Sequence, residues 1–287
     1  MKHTRRIWIG ILLITILLSQ TACGVVSNAG GPEIELSNST VANETHPTST
    51  PDLKVDPTHG LLPNRSEENE KIYNATVLIR MQTPQNQNVV GMGVFLGLGI
   101  GSLIQINGEI LLVTHNHWGE MLQDLTIVEF RNADNQMIKP IFGKDFKKLI
   151  LRQDAGTLIL RPPQELIDQL VPVSMDAIPQ IAAGETVDVV YREKPTREKA
   201  AIHPAVVEEI ITYKGLPAYR LRSLDGQPII PGDSGGGIWY KGSLVGNNWV
   251  TLAESSGSVA EASGNSGDEN IVYTDLSYAA ILPLDIP

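Results

Sequence analysis

The sequence predicts an all-β protein built from roughly a dozen short strands. Short apolar runs alternate with turn residues from about Tyr73 to the end of the chain. Two of these runs are separated by Asn107-Gly108, a dipeptide typical of a tight hairpin turn. Helical periodicity is rare. The predicted strands are residues 75–81, 89–98, 103–106, 109–114, 125–131, 156–160, 186–191, 205–213, 218–222, 237–240, 244–251 and 271–275.

Three segments depart from this strand pattern. Residues 163–170 and 277–284 are predicted to be helical, whereas 253–270, rich in Gly, Ser and Glu, is predicted to be a long exposed loop.

The first 23 residues have the order of an export signal. Lys2, Arg5 and Arg6 precede an apolar run over 7–18, and small residues follow it. As a helix this run is about 18 Å long, against a hydrocarbon core of roughly 30 Å. We therefore expect a signal segment over 1–23 and not a permanent membrane span.

Cys23 is the only cysteine, and it directly follows Thr21-Ala22 at the end of the apolar run. This arrangement resembles a bacterial lipoprotein cleavage site, although Gln20 stands where leucine is preferred. The resemblance implies lipidation at Cys23, which would anchor the exported protein on the cell surface or on the periplasmic side of a membrane. Ordinary signal cleavage, giving a secreted protein, and an uncleaved anchor are the alternatives.

Composition limits the classes of partner. Residues 24–66 are rich in Ser, Thr, Asn and Pro, which predicts a disordered tether. The formal net charge of −10 argues against nucleic acid as a partner. Because there is no second cysteine, no internal disulfide can support the fold, and the core must suffice.

The stretch Pro-Gly-Asp-Ser-Gly-Gly-Gly over 231–237 places Ser234 inside a run of glycines. A serine becomes a useful nucleophile when the backbone exposes its oxygen and aims N–H groups at the developing negative charge. The segment resembles the nucleophile loop of chymotrypsin-like (trypsin-fold) serine proteases. That resemblance implies that the amides of Gly232 and Ser234 form the oxyanion hole. A plain glycine-rich turn is the alternative.

A general base is expected at the end of the apolar run 110–114, where two histidines follow. In the family a Val-Thr-Ala-Ala-His-like turn ends a strand, and Val113-Thr114-His115-Asn116-His117 puts His117 at the position of its histidine. Imidazole suits this role because it exchanges protons near neutral pH. His115 is the rival base. A His-x-His pair can also bind zinc, but no third ligand is evident nearby, so no metal is expected.

Asp154 precedes the apolar run 158–160 and resembles the family's lone aspartate before a buried strand. Such a carboxylate holds the imidazole in the correct tautomer. Asp124, Asp134 and Asp145 lie in more polar surroundings and are weaker candidates. The chain order His117, Asp154, Ser234 is that of the trypsin fold, and it differs from the orders of subtilisins and α/β-hydrolases.

The resemblance implies two six-stranded antiparallel β-barrels in a protease domain over 67–287, with a crossing near 165–180 and the active site between the barrels. It implies a serine endopeptidase acting on proteins or peptides without a cofactor. An inactive trypsin-fold binding or scaffold protein is the alternative, and an esterase with the same triad is a weaker one. Pro228, six residues before the nucleophile, and the adjacent isoleucines give no support for a preference for Lys or Arg.

One departure from the family concerns Asp233. The domain has no Ile-Val-Gly-Gly-like start, so a freshly cut N-terminus is not expected to pair with this carboxylate. Asp233 therefore needs a different partner or solvent.

Overall fold

The computed structural model describes residues 65–83, 95–154, 156–255, 258–261 and 272–286. The predicted signal segment, Cys23 and the tether as far as residue 64 lie outside the described residues. Among the helices that are described, none is long and apolar enough to cross a membrane.

The first half of the described chain forms one sheet with short helices in its connections. Its strands run in the order β5-β4-β1-β2-β3-β7-β6, and β8 pairs parallel to β2. The elements are α1 (Glu67–Asn74), β1 (Thr76–Gln82), β2 (Phe95–Ile106), β3 (Glu109–Thr114), α2 (His117–Met121), β4 (Ile127–Arg131), β5 (Met137–Phe142), α3 (Gly143–Phe146), a 3₁₀ turn (Lys147–Leu149), β6 (Ile150–Gln153), β7 (Leu158–Leu160), α4 (Gln164–Gln169) and β8 (Val173–Met175).

The second half forms a closed six-stranded antiparallel barrel. Six strands follow one another in the order β12-β9-β10-β11-β15-β13, and pairing of β12 with β13 closes the ring. A seventh strand, β14, pairs antiparallel with the end of β13. The strands are β9 (Thr186–Arg192), β10 (Ala200–Tyr213), β11 (Leu216–Ser223), β12 (Gly237–Tyr240), β13 (Ser243–Ser255), β14 (Ser258–Glu261) and β15 (Val272–Ile281).

Local sequence explains several of these elements. The predicted hairpin between β2 and β3 turns at Asn107 and Gly108, whose φ angles of 53° and 82° are those of a type I′ turn. At α1, the Ser66 hydroxyl accepts the Asn69 N–H at 3.1 Å and caps the helix. Ile72 in the last turn of that helix is fully buried in the core.

The all-β prediction is confirmed, and one of the two predicted six-stranded antiparallel barrels is present and closed in the second half. The first sheet has eight strands, and no strand pair within the described residues closes it. The predicted helix over 163–170 is present as α4, but the one over 277–284 is wrong, because residues 277–281 belong to β15. Residues 277–281 pair with β11 on one side and with β13 on the other, and this pairing determines their extended conformation.

The predicted loop over 253–270 is wrong at its start. β13 continues to Ser255, and β14 pairs with it over Ser258–Glu261. The remainder of that segment lies outside the described residues.

Arg192, at the end of β9, joins the barrel to the first sheet through a buried guanidinium group. Its Nη2 donates to the carbonyl oxygens of Ile79 at 3.1 Å and Gly99 at 3.0 Å. The residue is only 2 % exposed. Burial, reinforced by the positive charge of Arg197, lowers the pKa of Arg192 to about 10. The guanidinium is therefore charged at neutral pH and depends on these carbonyls for its hydrogen bonds.

We expect Arg192→Met to lower the free energy of unfolding by about 3 kcal/mol, because it removes hydrogen bonds from buried groups. Urea denaturation measures this loss. Arg222→Met is the matched control, since Arg222 is partly exposed and pairs with surface carboxylates; it should cost less than about 1 kcal/mol. Equal losses in the two variants would show that Arg192 does not hold the sheets together.

Candidate active site

The turn over 114–117, here called the histidine turn, connects β3 to α2. The Thr114 hydroxyl donates to the Ile100 carbonyl at 2.5 Å and fixes the end of β3 to β2. Trp118, the second residue of α2, is 1 % exposed. Its indole lies so close to Gly99 that a Cβ there would be 2.0 Å from the ring. Packing on both sides therefore fixes the histidine turn.

The two histidines of this turn contact each other. The backbone N–H of His117 donates to Nδ1 of His115 at 3.0 Å, and the ring centroids are 4.2 Å apart. Burial lowers the pKa of His117 to about 4. Burial and the neighbouring His117 charge lower the pKa of His115 well below its usual value. Both imidazoles are thus neutral at pH 7, as a proton acceptor must be.

Asp154 lies in the turn between β6 and β7. Its Oδ1 accepts the N–H groups of Gly156 at 3.1 Å and Thr157 at 2.7 Å, and its Oδ2 is 3.9 Å from Nε of Arg152. Its backbone carbonyl accepts a hydrogen bond from the side-chain amide of Asn116 in the histidine turn. Within the described residues, no hydrogen bond joins the Asp154 carboxylate to a histidine.

The weaker acid candidates lie in ion pairs or hydrogen bonds elsewhere. Asp124 pairs with Lys147 at 2.9 Å and Asp145 with Lys148 at 2.8 Å. Asp134 accepts from the Tyr73 hydroxyl at 3.0 Å and pairs with Lys199 at 3.1 Å. These partners leave Asp154 as the aspartate with a recorded contact to the histidine turn.

The loop over 231–236, here called the serine loop, packs directly on the histidine turn. Ile100 N–H donates to the Ser234 carbonyl at 2.9 Å. Gly235 has a φ of 84°, and a Cβ there would lie 2.3 Å from the Thr114 hydroxyl and 2.7 Å from the His115 nitrogen. A residue with a side chain at Gly235 would force the loop away from the histidines.

The backbone amides of the serine loop fall into two groups. The N–H groups of Asp233, Gly235 and Gly236 donate to carbonyls at 2.9–3.0 Å. For the N–H groups of Gly232 and Ser234, no acceptor is found among the residues that the structure describes. They are the two amides that the sequence resemblance assigned to the oxyanion hole.

Asp233 has the partner that sequence analysis left open. Its carboxylate is fully buried, and Oδ1 lies 2.9 Å from Nη2 of Arg197. The N–H groups of Arg192 and Ile230 also donate to this carboxylate, each at 3.0 Å. Burial raises the pKa of Asp233, while the positive charge of Arg197 opposes that shift. No pattern in the sequence marked Arg197.

Two asparagines of β13 were also missed from sequence, and both are buried. Asn247 donates to the Gly156 carbonyl at 3.0 Å and accepts from the Thr157 hydroxyl at 2.9 Å, so it holds the Asp154 turn. The Asn248 carbonyl accepts the Gly235 N–H at 2.9 Å, and its side-chain amide donates to the Val190 carbonyl at 3.0 Å. One strand of the barrel thus holds both the Asp154 turn and the serine loop.

A cavity of about 470 Å³ lies on another side of the Asp154 turn. Its walls are mostly apolar and include Ile181, Tyr219 and Leu282, with Arg152 and Asp154 among its polar lining. Neither histidine and no residue of the serine loop lines it.

The structure therefore brings the histidine turn into contact with the Asp154 turn, through the Asn116 side chain, and with the serine loop at Gly235. Between His117, Asp154 and Ser234, it records no side-chain hydrogen bond within the described residues. Within the same residues, no group of three or more His, Cys, Asp or Glu side chains could hold a metal ion.

Comparisons with known proteins identify no family for this chain. No family model matches the sequence, and no curated protein matches it either. Two solved structures of the HtrA-type protease AlgW with tripeptide, one of them a variant, align with a TM-score of 0.48 at 12% and 13% sequence identity. They cover 75% of this chain, and the chain spans 58% of their length. A likeness at this level carries no conclusion about activity or substrate.

We expect Arg197→Met to lower the free energy of unfolding by about 3 kcal/mol at pH 7, because it leaves the buried Asp233 carboxylate without its nearest cation. Without Arg197 the pKa of Asp233 rises further, so the folded variant favours the protonated acid. The deficit should then be largest at pH 7 and shrink as the pH falls toward 4.

Denaturation of both proteins at several pH values measures this trend. Arg220→Met, which removes an exposed partner of Glu208 and Glu209, is the control and should show a small deficit. A deficit for Arg197→Met that is the same at pH 5 and pH 7 would contradict the assigned ion pair.

Proposed function

We propose that this protein is a serine endopeptidase in which Ser234 is the nucleophile, His117 the general base and Asp154 the acid that orients it. The amides of Gly232 and Ser234 would bind the oxyanion. The substrate class is a protein or peptide chain, and no cofactor enters the reaction.

One observation carries this proposal: the histidine turn contacts both of the other predicted segments. Asn116 ties the turn to the Asp154 backbone, and Thr114 with His115 packs against Gly235 of the serine loop. These segments are far apart in sequence. Their meeting at one place is what a triad requires and what an isolated glycine-rich turn would not explain.

The proposed chemistry begins when the Ser234 oxygen attacks the substrate carbonyl and its proton passes to the neutral His117. The negative oxygen of the tetrahedral intermediate would accept hydrogen bonds from the amides of Gly232 and Ser234. His117 would then give its proton to the leaving amine, and water would hydrolyse the acyl-enzyme by the same steps.

Asp154 needs a change of side-chain conformation to take part. With a pKa of about 4, His117 is a weak base until a negative charge faces it. The Asp154 carboxylate would supply that charge after leaving the amides of Gly156 and Thr157 for the imidazole. Catalytic hydrogen bonds are often loose before substrate binds, so the unliganded geometry is compatible with this step.

A trypsin-fold binding or scaffold protein is the second candidate. It is favoured by the present hydrogen bonds of Asp154, whose carboxylate stabilises its own turn, and by the apolar cavity beside that turn. Under this alternative the triad positions are occupied without turnover.

We further propose that the protein is exported and held by a lipid on Cys23. Support comes from the charged start, the short apolar run and the small residues before this cysteine. The stretch 24–64 would give the protease domain reach away from the membrane.

Ser234→Ala should abolish labelling by a fluorophosphonate probe together with peptide hydrolysis. His117→Ala should lower kcat at least ~10³-fold, and Asp154→Asn should lower it around 10⁴-fold with little change in melting temperature. Initial rates on an unstructured protein substrate and probe labelling measure these effects.

The matched controls are Ser243→Ala, His203→Ala and Asp145→Asn, which should keep wild-type rates because these residues lie away from the histidine turn. Absence of both labelling and hydrolysis in the wild type would favour the binding protein. Full activity in Asp154→Asn would remove that residue from the triad while leaving the serine hydrolase intact.

Cys23→Ser should release the protein from the membrane fraction, because the acyl chains contribute about 0.8 kcal/mol per buried CH₂ group. Globomycin should leave the wild type with an uncleaved leader. Fractionation and mass spectrometry of the N-terminus read out both. A Cys23→Ser protein that remains fully membrane-bound would disprove the lipid anchor without bearing on the protease.

A further inference from the structure

The acceptor of the His117 amide is unusual because it is another histidine. His117 is the first residue of α2, and Asn116 at the N-cap position makes no side-chain capping bond. Instead, Nδ1 of His115 accepts the His117 N–H at 3.0 Å. The imidazole of His115 therefore accepts the backbone N–H of the residue that we propose as the general base, as an N-cap side chain would.

His115 is also held firmly. It is 6 % exposed, and its backbone nitrogen lies against Gly235 of the serine loop. Its ring lies 4.2 Å from the ring of His117. A shift of His115 would thus displace both the proposed base and the loop that carries Ser234.

We propose that His115 is a positioning residue, whose neutral imidazole fixes the backbone and ring of His117 for proton transfer with Ser234. This inference rests on the proposed serine hydrolase function. It assigns His115 a role different from that of a rival base, because its Nδ1 is occupied by the His117 amide.

The role requires one tautomer. Since His117 N–H donates to Nδ1, that nitrogen carries a lone pair, and the proton of the neutral ring is on Nε2. Protonation at Nδ1 would set a donor against a donor and place a positive charge beside His117. The other groups acting on the ring are Lys214, which also disfavours its charge, and the Trp249 backbone, which opposes that effect.

Simple core filling does not explain this histidine. Its Nε2 is buried and meets no partner of good hydrogen-bond geometry among the described residues, the Trp249 backbone being the one polar group that favours its charged form. A buried polar atom without a partner costs free energy that an apolar side chain of similar size would avoid. An apolar side chain, however, would leave the His117 amide without its acceptor.

Two substitutions distinguish the effect of losing the Nδ1 acceptor from the effect of changing the side-chain volume. His115→Asn keeps an oxygen near the position of Nδ1 but cannot titrate as a histidine does. His115→Leu keeps apolar volume and removes the acceptor. We expect His115→Leu to lower kcat about 10²-fold with little change in KM, and His115→Asn to restore kcat to within about tenfold of wild type.

The pH profile is a second measurement that packing alone would not change. In the wild type, activity should fall at acid pH as the two histidines gain protons. In His115→Asn the contribution of His115 to that fall should disappear. Wild-type kcat in His115→Leu, or equal losses in both variants at equal melting temperatures, would overturn the proposal.

A measurement independent of turnover keeps this proposal separate from the proposed function. In Ser234→Ala protein, ¹⁵N NMR of the imidazoles should show Nδ1 of His115 unprotonated and Nε2 protonated at pH 7. His117→Gln should raise the pKa of His115, because it removes a group that becomes a neighbouring positive charge at acid pH. A proton on Nδ1 would refute the His115 role even in an active enzyme. The predicted tautomer, together with a wild-type protein that the probe does not label, would instead refute only the protease.

Discussion

The buried carboxylate of Asp233 is the group on which both the serine loop and the contact between the two sheets depend. It accepts hydrogen bonds from the backbone of Arg192 and from the side chain of Arg197. Arg192 in turn extends its guanidinium to carbonyls of β1 and β2. One continuous set of charge-assisted bonds therefore runs from the residue beside Ser234 into the first sheet. Because each member is costly to leave unpaired, loop and sheets must take one arrangement together.

This arrangement fixes the backbone of the candidate site, whereas no hydrogen bond among the described residues joins the proposed catalytic side chains to one another. Within the part of the chain that the structure describes, the Gly232 and Ser234 amides have no acceptor, and the histidine turn is fixed by Thr114 and by the packing of Trp118. The carboxylate of Asp154, by contrast, stabilises its own turn. Two sets of donors compete for it, namely the neighbouring amides and a protonated His117. In the proposed reaction, transfer of the Ser234 proton to His117 would favour the second set, since the carboxylate is attracted more strongly to the charged imidazole than to the neutral one.

The sequence predicted features that depend on neighbouring residues. The hairpin at Asn107-Gly108 needs only the φ preferences of two residues, and the glycines of the serine loop are required by its close approach to the histidine turn. Features that depend on distant partners were not predictable. Residues 277–281 form a strand because β11 and β13 flank them, and Arg197 acquires its role only when folding brings it to Asp233. The asparagines of β13 have the same origin, since each is buried against a turn far away in sequence.

The absence of a second cysteine gives these polar contacts additional weight. Apolar packing between two sheets tolerates small displacements, because dispersion and burial have little directional preference. Hydrogen bonds from Arg192 to β1 and β2, and from Asn247 to the Asp154 turn, require specific distances and angles. They fix how the barrel meets the first sheet at the place where the histidine turn and the serine loop touch. Stability of the fold and geometry of the candidate site therefore depend on the same buried contacts.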